Sequence, residues 1–81
     1  MRKTAIRRER EKIATLIADQ RQKLGWSQRE LSRRLTWHEM TIHLIESNER
    51  GIDVAELVDI AKALGLDPVE MMRLATAEEN S

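Results

Sequence analysis

Two histidines, His38 and His43, flank a short segment that also contains Glu39. Zinc proteases use these residue types, with the two histidines four positions apart on one face of a helix. Here the histidines are five positions apart, which separates them by about 140° around a helix. The chain has no cysteine, which excludes thiolate metal sites and disulfides. Because no glycine-rich phosphate loop is present either, we expect no enzymatic activity, no metal and no cofactor.

The charge of the 81-residue chain is balanced overall, with 14 Lys and Arg against 14 Asp and Glu, but it is unevenly distributed. Residues 1–50 hold twelve basic and seven acidic residues, whereas residues 51–81 hold two basic and seven acidic ones. Such an asymmetry suggests that one end of the protein meets a polyanion and the other does not. A solvated surface with accidental charge segregation is an equal alternative, and composition alone leaves both open.

The length of the chain indicates one compact domain. Its first eight residues are basic and lack the apolar stretch of a signal peptide, and no run approaches the roughly 18 consecutive apolar residues of a membrane span. We therefore expect a cytoplasmic protein. The predicted organisation is a basic arm or helix extension over 1–8, a folded domain over 9–75 and a flexible acidic tail over 76–81.

Helix-forming residues and the absence of alternating apolar patterns predict an all-α domain of five helices. These helices are predicted at about 5–24, 27–35, 39–47, 53–64 and 67–75. Their apolar faces, which in the third helix consist of Ile42 and Ile45, are expected to form the core. Trp26 and Trp37 are expected to join it, as are Leu24 and Val54 at the helix ends.

Three of the predicted helices begin with clear capping signals. Ser27 followed by Glu30 fits a capping box, in which each side chain bonds to the backbone N–H of the other residue. Asp53 opens the fourth helix, and Asp67 before Pro68 opens the fifth, with proline at its preferred first helical position.

The second and third predicted helices are short and separated by a tight turn, which is the helix-turn-helix pattern. The features that carry a family resemblance are Ser27-Gln28, Leu31, Leu35, Thr41-Ile42, Ile45-Glu46 and the run from Asp53 to Gly65. In this order and spacing they resemble the lambda-repressor and Cro-like helix-turn-helix family, often called the XRE family. The resemblance covers residues 9–75.

The resemblance implies a transcriptional regulator whose helix 39–47 lies in the major groove of double-stranded DNA. The predicted base-reading residues are His38, Glu39, Met40, His43 and Leu44. The predicted phosphate contacts are Ser27, Gln28, Arg29, Arg33, Ser47 and Arg50. For Gln28 taken alone, an ordinary exposed helix residue is an equal alternative. The resemblance also implies a structural ion pair between Arg21 and Glu46, which fixes the third helix against the first.

The predicted recognition surface departs from the usual pattern of the family. Met40 and Leu44 form an outward apolar pair that contacts thymine methyl groups or, as the alternative, a protein partner. Thr36 stands where the family usually has glycine with positive φ, a conformation that strains a β-branched residue. As an alternative, Thr36 and Glu39 form a capping box and the third helix begins earlier.

The function we expect is a sequence-specific repressor that binds a palindromic operator as a homodimer, at the nucleoid of a bacterium or phage. Candidates for the dimer surface are Met71, Met72 and Leu74, of which at least one is expected to pack onto the first helix instead. The basic residues near the N-terminus are expected to form an arm that contacts phosphates or a minor groove. The alternative is that they form only a solvated helix face. They are Arg2, Lys3, Arg7, Arg8, Arg10 and Lys12. The alternative function is a protein-interaction module or an antitoxin that binds a partner protein.

Overall fold

A computed structural model describes the backbone of residues 2–77 and the side chains of residues 8–77. Within these residues the chain forms five helices and no strand, which confirms the predicted all-α fold. The helices are α1 Arg2–Lys23, α2 Gln28–Arg34, α3 Thr41–Glu46, α4 Val54–Leu64 and α5 Pro68–Thr76. None of them is both long enough and apolar enough to span a membrane.

Helix α1 is the central element, since α3, α4 and α5 all pack against it, while α2 packs on α3 and α4 on α5. The apolar positions predicted from helical spacing meet in one core. Its buried members are Ile13, Ile17, Leu31, Ile42, Ile45, Leu57, Ile60, Ala61, Leu64, Met71 and Ala75. Trp26 and Trp37 pack against this core and are half-buried. Leu24 and Val54 were expected in the core, but they are 41% and 74% exposed because each lies at a helix end.

The predicted caps of α4 and α5 form in full. Asp53 and Glu56 make a reciprocal capping box at the start of α4, and Asp67 accepts the N–H of Val69 at the start of α5. In α2 only half of the expected box is present. The Ser27 hydroxyl accepts the N–H of Glu30 at 3.0 Å, but the Glu30 carboxylate pairs with nearby arginines instead.

The turn between α2 and α3 corrects the expected helix start. Thr36 has a positive φ of 58°, and its hydroxyl donates to the carbonyl of Leu35. It therefore ends α2 and does not cap α3. Helix α3 begins at Thr41, two residues later than predicted, so His38 and Glu39 belong to the turn.

The N-terminal segment is a continuation of α1, which begins at Arg2. The side chains of Arg2, Lys3 and Arg7 lie outside the described residues, as does most of the predicted acidic tail. Arg10 is half-buried, and its guanidinium packs so close to Gly51 that an added Cβ there would lie 3.3 Å from Nη2. Lys12 donates to the carbonyl of Ala77 at 3.0 Å.

Candidate nucleic-acid interface

Helix α3 is fixed on its inner side by two buried isoleucines and a buried ion pair. Ile42 and Ile45 are 0% and 3% exposed, as expected for side chains three apart on the core face of a helix. Glu46, in the last turn, accepts from Arg21 of α1 at Nε (2.7 Å) and Nη2 (2.9 Å). This bidentate geometry fixes both the rotation and the position of α3.

The predicted pair of Arg21 and Glu46 is almost fully buried, with side chains 10% and 7% exposed. The third guanidinium contact, from Nη1 to the carbonyl of Trp26, is 2.7 Å long. Arg21 therefore joins three elements, because the one side chain holds α1, the chain before α2 and the end of α3.

Gln28, at the start of α2, extends this network toward the surface. Its Nε2 donates to Glu46 at 2.8 Å, and its Oε1 lies 3.3 Å from Nδ1 of His43. From the sequence, Gln28 is predicted to contact phosphate. Both ends of the amide instead have partners within the protein, which places Gln28 between the buried pair and an exposed histidine.

Ser32 has a role that was not predicted from the sequence. It is fully buried in α2, and its hydroxyl accepts the backbone N–H of Ile42 at 3.4 Å. Met40, which precedes α3, provides no side-chain cap, so Ser32 satisfies an N-terminal donor of α3 from the neighbouring helix. A small hydroxyl residue on the core face of α2 was the only available signal in the sequence.

The outer side of α3 and the turn before it carry most of the predicted base readers. His38, Glu39 and His43 are exposed, and Met40 is 45% exposed. Leu44 is half-buried, so the expected outward pair with Met40 is present only in part. The surface thus offers two imidazoles, one carboxylate and one thioether to a partner.

Each predicted phosphate-contacting arginine of α2 is paired with a carboxylate. Arg29 bonds Glu39 at 2.7 Å from Nη2, and both side chains remain more than half exposed. Arg33 and Arg34 share Glu30 at 2.6 and 2.8 Å. The hydrogen bond from Arg33, followed by the charges of both arginines, holds the pKa of Glu30 below its usual value.

The loop after α3 contains the last two predicted phosphate contacts, and both have partners in the protein. The Ser47 hydroxyl donates to Glu49 at 2.7 Å. Arg50 binds Glu56 of α4 through both terminal nitrogens, at 3.1 and 2.7 Å. The hydrogen bond from Arg50 lowers the pKa of Glu56, and the same bond raises the pKa of Arg50. Arg50 is therefore directed toward α4.

The three predicted dimer residues have different positions on α5. Met71 is 2% exposed and belongs to the core, so it is not available at a surface. Met72 and Leu74 are each 43% exposed. Leu74 borders an open groove between α1 and α5 together with Leu16.

Among the described residues, no three His, Cys, Asp or Glu side chains are grouped as metal ligands. A protein-family model described as helix-turn-helix matches residues 17–71, which is more than half of the chain. The protein therefore belongs to the XRE-type, lambda-repressor and Cro-like helix-turn-helix family, a family of DNA-binding regulatory domains. Neither the comparison with curated proteins nor that with solved structures gave a significant match.

Proposed function

We propose that this DNA-binding helix-turn-helix protein is a sequence-specific repressor that binds a palindromic operator as a homodimer and acts in the cytoplasm, at the nucleoid. The observation that carries the proposal is the two-sided character of α3. Its inner side is fixed by Ile42, Ile45 and Glu46, while its outer side and the preceding turn present polar side chains to solvent. A rigid helix with an exposed polar edge is what major-groove reading requires.

The proposed base readers are His38, Glu39, Met40, His43 and Leu44, with Leu44 the least accessible of them. Ser27, Arg29 and Arg33 line one cleft beside Trp37 and Glu39. We assign phosphate contacts to these three residues, because backbone contacts from the flanking helix set the register in which α3 meets the bases. The other predicted phosphate contacts are Gln28, Ser47 and Arg50. Each of them contributes to phosphate binding only where its present partner in the protein releases or shares it.

Binding-site selection from random duplex DNA, read out at low and moderate salt, tests this function. We expect enrichment of a palindrome whose half-sites are about ten base pairs apart. The control is Lys62→Ala, which is expected to select the same palindrome, since Lys62 is an exposed residue of α4 outside the proposed DNA contacts and the proposed dimer surface. Selection of no sequence, or of single unpaired half-sites, would contradict a dimeric operator-binding protein.

The homodimer is assigned to Met72 and Leu74, the two exposed candidates toward the C-terminal end of α5. Leu74→Gln is expected to shift the protein toward monomer, because it removes apolar surface from the groove between α1 and α5. Val69→Gln is the matched control, since Val69 is on the same helix and 74% exposed but does not line that groove. Sedimentation velocity distinguishes the two variants, and equal behaviour of both would place the dimer surface elsewhere.

The second candidate function is binding of a partner protein, as in an antitoxin. It is favoured by one observation: the arginines nearest to α3 are already neutralised by carboxylates, beside an exposed Met40. An apolar protein interface is almost insensitive to salt, whereas DNA affinity falls with a log–log slope of about −0.9 per neutralised phosphate. Affinity for any captured partner measured at two salt concentrations therefore separates the two functions.

A further inference from the structure

His38 and His43 each make a hydrogen bond within the protein through Nδ1, but their partners are of different kinds. His38 Nδ1 lies 3.1 Å from the backbone nitrogen of Met40, which donates to it. His43 Nδ1 lies 3.3 Å from Oε1 of Gln28. In a neutral imidazole one ring nitrogen donates and the other accepts, so each partner decides which nitrogen carries the hydrogen.

The orientation of the Gln28 amide follows from the buried ion pair. Both oxygens of the Glu46 carboxylate accept from Arg21, at 2.7 and 2.9 Å, so this carboxylate acts as an acceptor in the network. The group of Gln28 that lies 2.8 Å from Glu46 must therefore be its NH₂ group. The carbonyl oxygen of the amide is left to face His43.

An amide oxygen can only accept a hydrogen bond, so the hydrogen between Gln28 and His43 belongs to His43 Nδ1. A backbone N–H can only donate, so Nδ1 of His38 carries no hydrogen. In the neutral rings the remaining nitrogen, Nε2, then accepts in His43 and donates in His38.

We infer that the fold holds these two histidines in opposite tautomers, so that they present opposite hydrogen-bonding groups to the DNA. This inference rests on the proposed function and deepens it. His43 Nε2 accepts from an exocyclic amine, which in the major groove means N4 of cytosine or N6 of adenine. His38 Nε2–H donates to an acceptor, such as guanine O6 or N7, thymine O4 or a phosphate oxygen. Gln28 is the positioning residue that sets the specificity of His43.

Nitrogen-15 NMR of the free protein at pH 8, where an ordinary imidazole is neutral, measures the tautomers without DNA. Two-bond correlations from the ring protons are expected to show His43 protonated at Nδ1 and His38 protonated at Nε2. Because a free imidazole prefers the Nε2–H form, the result for His43 requires the protein. His43 in the Nε2–H form would overturn the inference.

Gln28→Met is the matched variant, since methionine has a similar length and lacks the amide. We expect His43 to return to the Nε2–H tautomer while His38 is unchanged. The amide spectrum of the variant verifies that the fold is intact. If His43 keeps its hydrogen on Nδ1 in this variant, Gln28 does not position it and the inference is wrong.

Binding-site selection at pH 8 with His43→Ala and His38→Ala tests the reading of bases. In His43→Ala, the preference for cytosine or adenine at one position of each half-site is expected to fall about five- to tenfold. This is the effect of about one hydrogen bond. His38→Ala is expected to affect a different position or the general affinity. If His43→Ala keeps the base preference of the wild-type protein, the inference is wrong but the proposed function stands. If the wild-type protein selects no sequence, the proposed function fails and the base-reading part falls with it, while NMR still decides the tautomers.

Discussion

At the scale of single residues, the contacts that matter most are those made by charged groups removed from water. Arg21 and Glu46 are nearly inaccessible, and the guanidinium makes all three of its hydrogen bonds within the protein. A buried pair of this kind adds little net stability over a well-packed apolar pair, but the loss of one partner leaves an uncompensated charge. The pair therefore specifies where α3 lies.

Glu46→Ala is expected to lower the free energy of unfolding by about 3 kcal/mol, because Arg21 stays buried without its carboxylate. The double variant Arg21→Met/Glu46→Leu is expected to be more stable than either single variant, since it removes both charges together. Urea denaturation of the wild-type protein, Arg21→Met, Glu46→Leu and the double variant forms the cycle. Additive effects of the two substitutions would show that the pair is not coupled.

Glu56 links the pH dependence of stability to Arg50. Because the hydrogen bond from Arg50 lowers the pKa of Glu56 from its ordinary 4.5, the ionised pair stabilises the folded protein fully above about pH 4.5. This contribution is lost as the pH falls through the lowered folded-state pKa. Glu56→Gln is expected to cost about 0.5–1 kcal/mol at pH 7, the range for a solvent-accessible pair.

The cost of Glu56→Gln should vanish at acid pH, where the wild-type side chain is also neutral. Glu56→Ala separates the two roles of the residue, since glutamine still accepts the N–H of Asp53 in the capping box and alanine does not. Thermal unfolding of the three proteins between pH 7 and pH 3 is the measurement. A cost of Glu56→Gln that stays constant with pH would contradict the assigned ion pair.

At the scale of elements, α1 to α4 end in the same way. In each case one residue has positive φ and donates to the carbonyl three positions back, and the next residue donates to the carbonyl five positions back. The residues with positive φ are Gly25, Thr36, Asn48 and Gly65. Glycine and asparagine adopt this conformation at low cost, but a β-branched threonine does so under strain. The turn between α2 and α3 therefore stores strain at Thr36.

Thr36→Gly is expected to raise the free energy of unfolding by about 0.5–1 kcal/mol. The relief of left-handed strain, about 1–2 kcal/mol, is partly offset by the greater freedom of glycine in the unfolded chain. Asn48→Ala, at the equivalent position after α3, is expected to destabilise the protein. Denaturant unfolding of both variants tests these two expectations. A destabilised Thr36→Gly variant would show that the threonine is not strained.

At the scale of the whole molecule, zero net charge is reflected in the local pairing of arginines with carboxylates. Glu39 lies on the proposed DNA surface and neutralises Arg29, whereas Glu70 neutralises Arg73 on α5. Glu39→Gln frees a cation at the proposed interface. We expect tighter non-specific DNA binding, with a log–log salt slope more negative by about 0.9.

Glu70→Gln is the matched control for that experiment, since it also frees one arginine and adds the same net charge to the protein. It is expected to leave the salt slope nearly unchanged, because α5 packs on α1 and α4 and does not belong to the proposed interface. Fluorescence anisotropy with a random duplex at several salt concentrations measures both slopes. Equal slopes in the two variants would mean that overall charge, and not the position of Arg29, governs binding.

Much of this architecture could be predicted from the sequence because it depends on local signals. Helical spacing identified Ile42 and Ile45 as core residues, and Asp53 and Asp67 marked helix starts through bonds that span only two or three residues. The predicted start of α3 was wrong by two residues. Thr36 fits a helix start by its local sequence, but the structure places it in the left-handed conformation that ends α2, as its position in the family pattern had implied.

The sequence by itself determined the fold class, the family and the candidate surface, because periodicity, caps and motif order depend on residues near each other in the chain. Only the tertiary structure decided what each side chain of that surface is free to do. Gln28 and Ser32 contact α3 across 10 to 18 positions of sequence, and Arg50 is directed to α4. The physical reason is that hydrogen bonds and ion pairs are short-ranged in space, and only folding brings distant partners within their reach.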